Sequence, residues 1–141
     1  MTSVSAKVVP ELYCTDLERS LVFYTKVCGF GVRYARPEER FAYLELAGAE
    51  LMLEQTVRLE RTWVAAPLEY PLGRGMSLQI EVTGLLALHD RVIEDGCRIF
   101  VPLEERWYRR ETEEVGNRQF VVMDPDGYLL RFFEGLGSRA L

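Results

Sequence analysis

Loose alternation of apolar and polar residues from Lys7 to Cys14, with Val, Tyr and Leu prominent, predicts a first strand. Thr15 then serves as N-cap with Glu18 as its capping-box partner. Leu17, Leu21, Tyr24 and Val27 recur at helical spacing up to Gly29, which predicts a helix over about residues 16–28. Three strand-like runs follow, Phe30 to Arg36, Arg40 to Leu46 and Glu50 to Thr56, broken at Pro37-Glu38-Glu39 and Ala47-Gly48-Ala49. Residues 57–75, with Trp63 and Tyr70, lack a clear period and read as a connector. The order then recurs: a strand over Ser77 to Val82, a helix over about Gly84 to Asp95, strands near Arg98 to Leu103, Trp107 to Glu113 and Gln119 to Met123, and a last strand from Tyr128 to Glu134. That is one strand more than the first half has, unless the residues around Arg106 to Arg118 form one bent ribbon.

The recurrence holds position by position. Thr15 recurs as Thr83 and Leu17 as Leu85, both 68 residues on, and the helix-ending Gly29 recurs as Gly96, 67 on. Late in each half a glycine turn enters a strand, with Leu53 matched by Leu130. The expected architecture is therefore α+β, two tandem β-α-β-β-β modules over about residues 7–56 and 76–134 of a single domain, 1–141. Each module buries a helix on one face of a curved mixed sheet, and the two sheets are expected to enclose a cleft.

Composition narrows the function classes. The 141 residues are 48% hydrophobic and 28% charged, enough apolar material for a globular core. The formal charge of −5 disfavours phosphate backbones, so nucleic acid is not an expected partner. No apolar run approaches the roughly 18 residues of a spanning helix, and no secretory leader opens the sequence, so a cytoplasmic protein without a membrane partner is expected. Three cysteines without CxxC spacing suggest neither a disulfide framework nor a thiolate metal site. His89 is expected to pack or face solvent, and Cys14 to be a small buried residue.

Asp16-Leu17-Glu18-Arg19-Ser20-Leu21-Val22-Phe23-Tyr24 after the first strand, and Asp124-Pro125-Asp126-Gly127-Tyr128-Leu129-Leu130-Arg131 before the last, resemble the vicinal oxygen chelate superfamily. That group includes glyoxalase I, extradiol dioxygenases, fosfomycin-resistance enzymes and bleomycin-resistance proteins, and the resemblance spans about Lys7 to Glu134. It implies the glyoxalase/bleomycin-resistance fold and four metal-ligand positions, which fall here on Val9, Glu54, Ser77 and Arg131. Only Glu54 is an ordinary ligand; valine has no donor atom and a guanidinium repels a divalent cation. Shifting the alignment by one residue restores no ligand set, so no metal and no other cofactor is expected. The chain is closest in character to the metal-free, bleomycin-resistance-like branch, whose members form homodimers.

Strand alternation then sorts the candidate lining. Leu78, Ile80 and Val82 should cover the helix, leaving Ser77, Gln79 and Glu81 on the opposite face, with Glu11, Tyr13, Met52, Glu54, Leu129, Arg131 and Phe133 the corresponding residues of the other strands. With Trp63 and Trp107 (or Tyr108), the ligand-binding set is Glu11, Tyr13, Met52, Glu54, Trp63, Gln79, Glu81, Trp107, Arg131 and Phe133. Aromatic walls and carboxylates favour a planar or cationic small-molecule ligand. Glu54 and Arg131 either pair with each other or contact that ligand. The alternative function is a glyoxalase-fold enzyme using acid–base chemistry at Glu54 or Glu11 with Arg131 as oxyanion stabiliser; a protein-interaction module is a third class.

Overall fold

The computed structural model describes residues 5–56 and 62–141. The chain divides into two compact units, Met1–Leu72 and Gly73–Leu141. The first holds β1 (Glu11–Cys14), α1 (Leu17–Leu21), β2 (Gly31–Arg36), β3 (Phe41–Leu46) and β4 (Ala49–Gln55). The second holds β5 (Ser77–Glu81), α2 (Leu85–Glu94), β6 (Ile99–Arg110), β7 (Glu113–Met123) and β8 (Leu129–Ala140). Each unit is thus a β-α-β-β-β module with a four-stranded mixed sheet, ordered β1-β4-β3-β2 and β5-β8-β7-β6. First and last strands pair in parallel, and the remaining pairs are antiparallel.

In the first unit Leu12, Cys14, Ala42, Leu44, Leu51 and Leu53 are buried under Phe23, Tyr24 and Val27. The first helix departs from expectation. Asp16, not Thr15, is the N-cap, its carboxylate accepting from the Arg19 N–H at 3.2 Å. After Leu21 the helix widens into a π-helical stretch, Val22–Val27. The wider turn moves the buried stripe to Ser20, Phe23, Tyr24 and Val27, leaving Leu17 and Leu21 half-buried. The first strand is shorter than expected, since pairing with β4 begins only at Glu11.

The second unit packs Leu85, Leu88 and Val92 of α2 over Ile80, Phe120, Val122, Leu130 and Phe132. His89 meets the Phe120 ring edge-on at 5.0 Å, the packing role expected for it. The extra strand does not exist: the runs near Arg98 to Leu103 and from Trp107 onward merge into one 12-residue β6, Ile99–Arg110, and Glu113 already opens β7. Two irregularities, at Ile99/Val101 and Val101/Glu104, let β6 continue past Pro102 without breaking. β8 also runs six residues beyond Glu134, to Ala140. Charge pairs form across these strands, Arg118 with Glu105 at 3.1 Å and Arg139 with Glu114 at 2.9 Å.

The Asp124-Pro125-Asp126-Gly127 turn between β7 and β8 is closed by a buried carboxylate. Asp124 Oδ1 accepts the backbone N–H groups of Asp126 (2.8 Å) and Tyr128 (2.9 Å). Gly127 takes φ +92°, a conformation open to glycine at little cost. Tyr128 in turn lies against Gly73, where an added Cβ would stand 2.7 Å from the Tyr128 Cα.

Candidate functional site

On the first sheet, the face away from the helix is a lattice of cross-strand neighbours. Tyr13, Glu54, Phe41 and Arg36 form one row, and Glu11, Met52, Tyr43 and Tyr34 the next. The four residues expected there from β1 and β4, Glu11, Tyr13, Met52 and Glu54, are therefore contiguous. The Glu11 and Glu54 carboxyls share a hydrogen bond. Burial first, then the Glu54 charge and that hydrogen bond, push Glu11 above the usual carboxyl value, against an opposing pull from Arg36.

Aromatic rings and guanidinium groups complete this face. Tyr34 and Tyr43 stack with centroids 5.1 Å apart, and Arg36 lies 4.0 Å over the Phe41 ring while pairing with Glu39 at 2.6 Å. Arg33, left out of the ladder by the β2 irregularity, lies 5.0 Å from the Tyr43 ring centroid and pairs with Glu50 at 3.0 Å. Tyr43 Oη donates to the same carboxylate, which lowers the Glu50 pKa and raises that of Tyr43. Trp63 is 73% exposed and joins the block through its backbone N–H, which donates to Tyr13 Oη at 2.9 Å.

On the second sheet the face away from α2 carries Gln79, Arg131, Val121 and Val101 in one row, and Glu81, Phe133, Gln119 and Glu104 in the next. Gln79, Glu81, Arg131 and Phe133 thus share a face as alternation predicts. Trp107 does not. Its register partner is Gly116, on the helix-side face, where the indole fills the space a Cβ would take and Arg139 stacks over it at 3.9 Å. Tyr108 takes the place expected for it, with Gln119 Nε2 donating to Tyr108 Oη at 2.6 Å and to Glu104 Oε2 at 2.9 Å. Gln119, which sequence reasoning missed, is the one strongly buried polar side chain of this face among the described residues, and a lone Gln before the apolar Phe120-Val121-Val122 was the available signal.

Within each unit, the two positions at which the resemblance implied metal ligands are not register partners. Val9 precedes β1, whereas Glu54 faces Tyr13, four residues on; Ser77 faces Leu129, and Arg131 faces Gln79. Among the described residues no three His, Cys, Asp or Glu side chains form a group able to hold a metal. The donor set of valine, serine, arginine and one carboxylate does not suit a divalent cation.

The sequence profile of the Glyoxalase/Bleomycin resistance protein/Dioxygenase superfamily matches residues 8–132. The chain belongs to that superfamily. A glyoxalase/bleomycin resistance protein/dioxygenase superfamily member from Vibrio splendidus 12B01 is 40% identical, with 89% of this chain and 96% of that one covered and a TM-score of 0.40. TioX from Micromonospora sp. ML1 is 24% identical with a TM-score of 0.69, covering 94% of this chain and 100% of its own. A protein of unknown function from Agrobacterium tumefaciens str. C58 is 25% identical at a TM-score of 0.68, with 96% and 98% covered. No curated protein matches the chain. Among the described residues of this superfamily member, no helix is long and apolar enough to cross a membrane.

Proposed function

We propose that this superfamily member is a metal-independent small-molecule-binding protein of the bleomycin-resistance-like kind, holding a planar, cationic organic ligand on the acidic and aromatic face of the first sheet. The observation that carries this reading is the Arg36 guanidinium, a planar cation lying 4.0 Å over Phe41 in the row that also holds Glu54. Arg33 is held by Glu50, whereas the Arg36 side chain is 43% exposed and its carboxylate partner is the likewise exposed Glu39, so a ligand cation can replace it. Glu11, Tyr13 and Met52 border the same position. In this reading the protein is a homodimer, as the resemblance implies, and sedimentation giving a monomer mass removes that element.

The test is a thermal-shift screen of cationic, neutral and anionic aromatic compounds, since a ligand selective for the folded state raises the melting temperature. Cationic compounds should stabilise the protein, less so at high salt and not in Glu54→Gln. Stabilisation by anionic compounds alone, abolished by Arg131→Ala, overturns the reading.

The raised Glu11 carboxyl favours a second reading, acid–base catalysis by a glyoxalase-fold enzyme with Glu11 or Glu54 as proton carrier. Catalysed hydrogen–deuterium exchange of a carbon acid, lost in Glu11→Gln, is its signature.

A further inference from the structure

Two buried polar atoms on the second sheet have no hydrogen-bond partner among the described residues: Gln119 Oε1 and Arg131 Nε. They belong to neighbouring strands of one face. Gln119 is opposite Phe133 and Arg131 opposite Val121, so the two are diagonal neighbours, about 7 Å apart at the backbone. The orientation of the Gln119 amide follows from its surroundings. Its Nε2 meets Glu104 Oε2, and a carboxylate accepts hydrogen bonds only, so turning the amide over would set two acceptors against each other. Oε1 is therefore the unpaired end, in a residue that is 3% exposed. An orphaned acceptor and an orphaned donor are each unfavourable in a buried setting, and a ligand that satisfies both at once removes that penalty.

We infer that Gln119 and Arg131 form a recognition subsite for an uncharged planar ring carrying a carbonyl next to an N–H group, as in cyclic amides and ureides. The carbonyl accepts from Arg131 Nε and the N–H donates to Gln119 Oε1. Neighbouring charges favour a neutral ligand: an anion beside Arg131 also meets Glu81 and Glu104 of the adjacent row, and a cation meets Arg131. Phe133, opposite Gln119, offers a ring for stacking. The subsite uses residues of the second unit only, and does not depend on the reading of the first sheet.

The experiment is a titration of the full chain with uracil, hydantoin and 2-pyridone, with benzoate and benzamidine as anionic and cationic controls, followed by ligand and amide NMR. The cyclic amides should bind, and both controls should bind at least tenfold more weakly. Gln119→Leu, which removes the orphaned acceptor, and Arg131→Met, at a half-buried position, should each weaken cyclic-amide binding at least tenfold. Glu94→Gln, at the exposed C-terminal end of α2, should leave it unchanged. Because Gln119→Leu also deletes two hydrogen bonds, thermal melts accompany each variant, and Arg131→Met carries the test if Gln119→Leu does not fold. Equal binding of the cyclic amides by the parent and Arg131→Met, preference for benzoate or benzamidine, or no binding at all overturns the inference.

Discussion

Replacing Asp124 by alanine tests whether the Asp-Pro-Asp-Gly turn is a structural element. The residue is 4% exposed, and its Oδ1 accepts two backbone N–H groups at 2.8 and 2.9 Å, from Asp126 and Tyr128, both themselves buried. Hydrogen bonds to a charged acceptor are worth about 1.5–3 kcal/mol each, so losing the pair costs at least about 3 kcal/mol. The backbone bonds Asp124 N–H to Tyr128 O (2.8 Å) and Gly127 N–H to Asp124 O (3.0 Å) survive the substitution and keep the chain path. A chain of this length unfolds with an entropy of about 0.3 kcal/mol/K, so the melting temperature should fall by about 10 °C. Asp124→Asn keeps an acceptor oxygen and should lose less than half as much. Differential scanning calorimetry of the parent and both variants measures this directly. A change below about 0.5 kcal/mol in Asp124→Ala, or equal losses in the two variants, would show that the carboxylate does not hold the turn.

Gly73→Ala brings a Cβ to 2.7 Å from the Tyr128 Cα and 2.8 Å from its ring, where backbone must yield; urea unfolding should show a loss of about 1–3 kcal/mol. Because Glu11 has a raised folded-state pKa, the native protein binds the proton more tightly than the unfolded chain does, and this contribution to stability falls as pH rises from 4.5 through the folded value. Melting temperatures recorded against pH should therefore decline less steeply in Glu11→Gln than in the parent, and an identical decline would remove Glu11 from the balance. Burial, then the hydrogen bond and charge of Asp95, push the Cys97 thiol up to about 11, so its reaction with a disulfide reagent at pH 8 should be slow in native protein. Fast native labelling of Cys97, at the rate seen in urea, contradicts that environment.

The faces of the short strands were legible in the sequence because period-two alternation there is uninterrupted: Gln79 and Glu81 stand on one side of β5, and Leu78 and Ile80 on the other. Trp107 was misplaced because it was assigned by residue type and not by counting: the two extra residues in β6 cancel, so Trp107 returns to the helix-side face that Ile99 occupies. The offset between the two halves located Thr83 and Gly96 but could not fix parallel pairing, which turn lengths set independently. Hence Val9 and Glu54, placed separately by counting from Thr15 and from Leu53, lie four residues out of register. Gln119 is a long-range feature: its meaning arises only when β6 brings Glu104 and Tyr108 beside it. The widened turn after Leu21 left no trace in the apolar spacing.

The position of β8 within its sheet has a consequence for biosynthesis. β8 lies between β5 and β7, so it supplies the hydrogen-bonding partner for both the earliest strand of its unit and the one made just before it. Until β8 leaves the ribosome, β5 has no neighbour in its sheet and α2 lacks half of the surface it covers. The sheet of the first unit is complete about 85 residues sooner, once β4 has emerged. Assembly during translation is therefore sequential, with the second unit held open to chaperones and proteases until nearly its last residue is added.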